Sequence, residues 1–182
     1  MITCEEIYDL HTTGALKSAL YEAYREIPLD SRNSMRKNDT PLHMACAFAD
    51  ENAVRILLER GADVNVRNDD GDTPLCVLAR CKCCGKETTI AGIAGLLVSK
   101  ARVPRSGKNT TALIEAVGNR HFLMADILLM SGCRIDSTNS SGDNVLHVIC
   151  QSAGGIAYDI KRTKERIADF SERWYSKKDK RE

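Results

Sequence analysis

Apolar residues in this chain fall into short helical stripes separated by polar, glycine-bearing turns. In NDTPLHMACA, residues 38–47, Leu42 and Ala45 stand three apart behind Thr40 and Pro41. A threonine can cap free backbone N–H groups, and a proline at the first helical position has a suitable φ and needs no donor, so a helix starts here. Leu42 and Ala45 share one face of it, and the small alanine lets a neighbouring helix come close. In AVRILLERGADVN, residues 53–65, Val54, Leu57 and Leu58 make a second stripe. Gly61 then ends that helix by taking a left-handed conformation that a side chain would resist. The following DVNVRNDDGD, residues 63–72, is rich in Asn, Asp and Gly and predicts a β-turn or hairpin with a polar tip.

The pattern returns in TPLCVLA from residue 73, TALIEAV from 111 and NVLHVIC from 144, each with an apolar residue two places after its first. Thr40, Thr73, Thr111 and Asn144 are therefore spaced by 33, 38 and 33 residues. The second stripe returns in MADILLMSGCRID, residues 124–136, with Gly132 in the place of Gly61, and more weakly in GLLVSKARVP, residues 95–104. The ends differ. CEEIYDLHTTGALKSALYEAYREI predicts two helices broken near Thr13 and Gly14, with Leu16, Leu20 and Ala23 on one face of the second. At the other end VLHVICQSAGG predicts a first helix, and IAYDIKRTKERIADFSERWY a longer second one with Ile156, Ile160, Ile167 and Phe170 at helical spacings.

A period of 33 with T-P-L-H-x-A is the signature of one repeat class, and Thr40, Pro41, Leu42, His43 and Ala45 meet it at every defined position. The chain resembles the ankyrin-repeat family. The resemblance implies an all-α solenoid of stacked helix-turn-helix units joined by β-turn or hairpin loops, because neither helix of a unit can bury its apolar face alone. One domain covers 1–182, with an N-terminal cap at 1–37, units at 38–70, 71–107 and 108–140, and a C-terminal cap with a long basic helix at 141–182. The unit at 71–107 holds an insertion of about six residues, which accounts for most of its longer spacing.

Charge narrows the partner class. The 26 basic and 25 acidic residues leave a formal charge of +1, so no overall field recruits nucleic acid or a membrane surface. A 5% aromatic content also weakens any stacking platform for single-stranded nucleic acid. From Lys161 to Glu182 nine basic residues face five acidic ones, a modest surplus that a solvated helix accommodates. The N-terminal MITCEEIYDL lacks the basic start and apolar run of a secretory signal, and no apolar stretch approaches the roughly 20 residues of a membrane span. An intracellular protein is expected, cytoplasmic or nuclear, with its eight cysteines as reduced thiols rather than disulfides.

No catalytic motif emerges: G-x-S-x-G, H-E-x-x-H, a phosphate loop and G-x-G-x-x-G are all missing from the sequence. Neither a catalytic residue nor a cofactor nor a small-molecule substrate is expected. His43 and His147 occupy the fourth position of the repeat signature, where the resemblance implies a structural imidazole bonded to a neighbouring turn. His121 falls where the family has the histidine of a turn between helices, and His11 has no recognisable partner. The local anomaly is CVLARCKCCGKETT, residues 76–89. Cys76, Cys81, Cys83 and Cys84 could bind zinc or sense oxidants, but Cys83 and Cys84 are adjacent, no second C-x-x-C pair answers them, and Cys76 is buried by pattern. The alternative is a plain loop that happens to carry thiols, followed by a helix weakened by Gly92 and Gly95.

The resemblance implies that turn tips and exposed first-helix positions line one concave face on which a partner protein binds. Unit by unit these are Arg36, Lys37 and Asp39 with Ala47 and Phe48; Asp69, Asp70 and Asp72 with Arg80 and Cys81; Lys108 and Asn109 with Gly118 and Asn119; and Asn139, Ser140 and Asp143 with Gln151 and Ser152. Phe48 is the expected anchor, since aromatics dominate binding energy, unless it packs on the next unit instead. Along the face the tips run basic, acidic, basic, neutral, which favours a partner of matching alternation. The expected function is a non-enzymatic adaptor or inhibitor. An inhibitor-like decoy of Rel-type transcription factors is one variant, and a zinc or redox regulator using the cysteine cluster is the alternative of a different class. The resemblance also marks Asn65 as a turn position that is hydroxylated in some members.

Overall fold

A computed structural model describes residues 2–14, 16–82, 85–100, 110–133, 138, 139, 141–145, 147, 148, 165 and 168. Among them helices follow one another in pairs: α1 (Cys4–Thr12) with α2 (Lys17–Glu26), α3 (Pro41–Ala47) with α4 (Glu51–Glu59), α5 (Pro74–Ala79) with α6 (Glu87–Lys100), and α7 (Thr110–Gly118) with α8 (Phe122–Met130). The second helices pack side by side in the order α2, α4, α6, α8, and α3, α5 and α7 form a parallel row. The fold is an all-α stack. The connection from α2 to α3 holds one turn of 3-10 helix, Ser34–Arg36, and an isolated antiparallel bridge between Asn33 and Asp39, with no strand among the described residues.

Local chemistry sets the helix ends. Thr3 Oγ1 accepts from the Glu6 N–H at 3.2 Å while the Glu6 carboxylate accepts from the Thr3 N–H at 3.0 Å, a reciprocal cap that satisfies two otherwise unpaired donors at the start of α1. Asp50 caps α4 by accepting from the Ala53 N–H at 3.1 Å. Gly61 closes α4 at φ +88°, as its place after the stripe predicts. The stripes of adjacent pairs then merge into one core, in which Ile7, Tyr24, Leu42, Leu57, Leu78, Ile93, Leu113 and Leu128 are all fully buried. Each such side chain contributes about 1.5–3 kcal/mol relative to exposure, so the stack lives on contacts between units.

Two elements depart from the sequence pattern. Leu16 does not join the stripe of α2; it precedes the first helical residue and is 79% exposed, leaving Leu20, Ala23 and Tyr24 to bury that helix. The insertion in the third pair is only partly a loop. Helix α6 starts at Glu87 and runs fourteen residues, against nine in α4, so part of the added length becomes an extra first turn. Gly92 and Gly95 sit inside it without breaking it. The expected unit boundaries at the C-terminus and the long basic helix lie almost wholly outside the described residues. Of that end, Val145 is buried, and a Cβ on Gly118 would lie 3.4 Å from Val148, so Val148 packs on α7.

Candidate protein-binding surface

The tips are joined to one another before any partner arrives. Asp69 donates its N–H to the Lys37 carbonyl at 2.9 Å, and the Asn38 side-chain amide donates to the Asp69 carboxylate at 2.8 Å. Lys37 Nζ forms an ion pair with Asp70. Arg32 donates from one nitrogen to the carbonyls of Asn38 (3.0 Å) and Arg67 (2.9 Å). The basic and acidic tips read from the sequence are therefore each other's partners at two points.

Burial sorts the remaining expected positions, and several need correction. Asp39 and Asp72 are not tip charges: each is only 6% exposed. Asp39 accepts from the Asn68 amide at 2.8 Å, and Asp72 pairs with Arg80. Arg80 in turn reaches Glu115 on α7 at 3.3 Å, so it clamps the third pair to the fourth while its side chain remains 41% exposed. Cys81 is buried rather than outward-facing. Ala47 and Phe48 are half-buried. Phe48 packs neither outward nor on the next unit but back on the first pair, stacked on His11 at 4.2 Å between ring centroids and 8° between planes, with Tyr8 at 5.6 Å. His11 does have partners, since its Nε2 also meets the Tyr24 hydroxyl at 2.9 Å. Asn119 is half-buried and donates to the Ala79 and Glu115 carbonyls at 3.2 and 2.9 Å. Arg36 and Gly118 are exposed, Asn139 and Asp143 are half-buried, and Lys108, Asn109, Ser140, Gln151 and Ser152 lie outside the described residues.

His43 shows how the repeat signature works. Its Nδ1 accepts from the Thr40 backbone N–H at 3.2 Å, and since that N–H can only donate, Nδ1 carries no proton. The proton is then on Nε2, which donates to the Asp72 carbonyl at 3.0 Å and so ties the start of α3 to the next turn. Burial holds this imidazole below its ordinary pKa, which fits the neutral form the bonds require. His121 makes a parallel link, its Nε2 lying 2.7 Å from the Cys81 carbonyl. Asn144 and His147 bond reciprocally at 3.2 and 3.0 Å, like Thr40 and His43 at the helix start.

Residues 37–69 match the family model for the ankyrin repeat. Residues 37–69 thus form an ankyrin repeat. It is also 34% identical over 77 residues, or 42% of its length, to an ankyrin repeat-containing protein of Schizosaccharomyces pombe. The match spans about a third of that curated relative, 32% of its length.

Within the stack the described cysteines are mostly interior. Cys4, Cys46, Cys76 and Cys81 are buried and Cys133 half-buried. Burial raises the pKa of Cys4, Cys46, Cys76 and Cys133, which keeps them protonated and poorly nucleophilic. Cys83 and Cys84 lie outside the described residues, and among those described no group of three His, Cys, Asp or Glu side chains is placed to hold a metal ion. Asn65 is exposed in the turn after α4, its N–H donating to Asp63 at 2.9 Å. Sequence reasoning missed the bonds between tips and the Arg80 clamp. The available signal was opposite charge one period apart, as in Lys37 and Asp70, 33 residues from each other.

Proposed function

We propose that this chain is a rigid adaptor or inhibitor that holds a partner protein on its concave face and turn tips. Ankyrin repeats are protein-interaction modules in general, and no helix among the described residues is long and apolar enough to cross a membrane. The observation that carries the reading is the bonding between neighbouring tips. Backbone and side-chain bonds among Arg32, Lys37, Asn38, Asp69 and Asp70 fix the face in advance, so a partner meets it without the cost of ordering loops. On this reading Arg36, Ala47, Arg80 and Gly118 contribute to that face from successive units, with Arg36 and Gly118 exposed. The chain acts by binding and not by chemistry: His43 and His121 are committed to bonds between units, which leaves neither free as a general base. Buried thiols support a reducing, intracellular compartment.

Affinity capture with the whole chain tests the proposal. Asp70→Lys combined with Ala47→Arg places the wrong charge and excess bulk on the face, away from the first pair, and should weaken the captured protein's binding by about tenfold or more while the chain stays folded. Undiminished binding by the folded double variant would overturn the concave-face assignment.

A further inference from the structure

We propose that the cleft between α1 and the 33–39 turn receives a short extended segment of a partner protein in which a Lys or Arg stands beside an apolar side chain; this rests on the protein-binding reading above. The cleft has a volume of about 550 Å³ and is walled by Glu5, Tyr8 and Asp9 from α1 and by Met35, Arg36 and Asp39 from the turn. Met35 is 84% exposed. Its backbone is nevertheless held in place: the buried Asn33 side chain accepts the Met35 N–H at 3.0 Å, and the Asn33 carbonyl accepts from Arg36 and Asn38 at 3.1 and 3.0 Å. Glu5 fastens the same turn to α1 by accepting from the Ser34 N–H and hydroxyl, both at 3.2 Å. A polarizable thioether presented on a rigid turn next to a half-buried tyrosine ring is an adaptable apolar contact whose backbone is already ordered.

Charge selects the occupant. Glu5 and Asp9 stand one helical turn apart and both face the cleft, an arrangement of like charges that costs stability and is relieved by a cation. Asp39 also lines the cleft, with its carboxylate already bonded to the Asn68 amide. Of the two cations at the rim, Lys37 is paired with Asp70 outside the cleft, and Arg36 lies over the Tyr8 ring at 4.8 Å from its centroid. The Asp9 carboxylate bonds to no described residue. A cationic head would settle between Asp9 and Glu5 while the neighbouring apolar side chain lies on Met35. Phosphate backbones are repelled by the same carboxylates.

The test uses the full chain and a fluorescein-labelled peptide, Gly-Lys-Leu-Gly-Lys-Leu-Gly, with Glu-for-Lys and Ser-for-Leu counterparts as controls. Fluorescence anisotropy should show the Lys–Leu peptide binding, with about tenfold weaker binding for each control and for the Asp9→Lys chain, since like charge now opposes like. Met35→Ser should weaken it severalfold, and the Met35 methyl resonance should move on titration. Both residues are exposed, so both variants keep the parent melting temperature. Equal binding by the Ser control, insensitivity to Asp9→Lys and Met35→Ser, or a stationary methyl resonance overturns the proposal. Self-association that Met35→Ser abolishes would instead give the cleft to a second copy. If a protein captured by the whole chain is held equally by Asp9→Lys and Met35→Ser, the cleft assignment fails while the adaptor reading stands; loss of capture by the concave-face variant alone separates the two.

Discussion

The second and third repeats share an architecture and differ in how they are fastened. In the second, His43 receives two donors at its own helix start and donates to the following turn, so one side chain closes a cap and bridges two units. In the third, Cys76 has that position; among the described residues its sulfur accepts from the Thr73 hydroxyl, at 3.5 Å. A single sulfur cannot reach in two directions as an imidazole does. The third repeat compensates elsewhere, through Arg80, which spans Asp72 and Glu115. Ionic fastening of a half-exposed guanidinium is weaker than buried neutral hydrogen bonds, so the two repeats should respond differently to the same insult.

The largest effect should fall on what the repeats share. Leu57 in α4 and Leu97 in α6 are both buried in the row of second helices, at 0% and 2% exposure. Truncating either, Leu57→Ala or Leu97→Ala, should cost about 3–4 kcal/mol in urea unfolding, the range for a fully packed core leucine. If Leu97→Ala costs less than half as much as Leu57→Ala, the longer α6 is loosely packed and the two repeats differ in their cores as well as their clamps.

The clamps come next. His43→Ala leaves the Thr40 N–H and the Asp72 carbonyl without partners in a buried setting and should cost about 2–4 kcal/mol. Cys76→Ala removes one weak bond and a small apolar atom, and should cost about 1 kcal/mol. Equal losses would mean that the imidazole bridge contributes no more than packing volume. Sequence made this half of the comparison visible, because Thr40, Pro41, Leu42 and His43 each carry a local role that follows from position in a helix start. It could not show that Asp39 and Asp72 turn inward while Asp69 and Asp70 stay out. That choice depends on Asn68 and Arg80 arriving from the neighbouring loop and helix end, and a run of acidic residues looks the same from either side. Phe48 is misleading for a similar reason: a helix pattern places it at a boundary, but only the stack brings His11 over its ring.

Acid should separate the repeats further. Burial lowers the His43 pKa below its ordinary 6.5, so the unfolded chain takes up a proton more readily than the folded one. Stability from this residue is complete above that ordinary value and is lost as pH falls through it toward the folded pKa. His11, lowered mainly by its burial and raised in part by Asp50, adds a contribution of the same sign at the first pair. Cys76 gives the third repeat no such titration at these pH values. Urea midpoints at pH 7.5 and 5.5 should therefore differ more for the parent than for His43→Gln. An identical pH slope in the two would show that the histidine bridge is not the acid-sensitive element.

The smallest effect should come from the most visible contact. Lys37 and Asp70 join the tips of the second and third repeats, but their side chains are 65% and 39% exposed, so water and salt screen the pair. Lys37→Met should change stability by less than about 0.5 kcal/mol, as for most exposed ion pairs. The tips stay together because the Asp69 N–H meets the Lys37 carbonyl and Asn38 meets the Asp69 side chain, neither of which needs the ammonium. Asn38→Ala should accordingly cost more than Lys37→Met, by about 1 kcal/mol, through loss of the bond to Asp69 and of a residue suited to φ +57°. If Lys37→Met is instead the more damaging of the two, and sodium chloride reproduces its effect, the repeats are held at their tips by charge, and the fixed face inferred for a partner would soften wherever ionic strength rises.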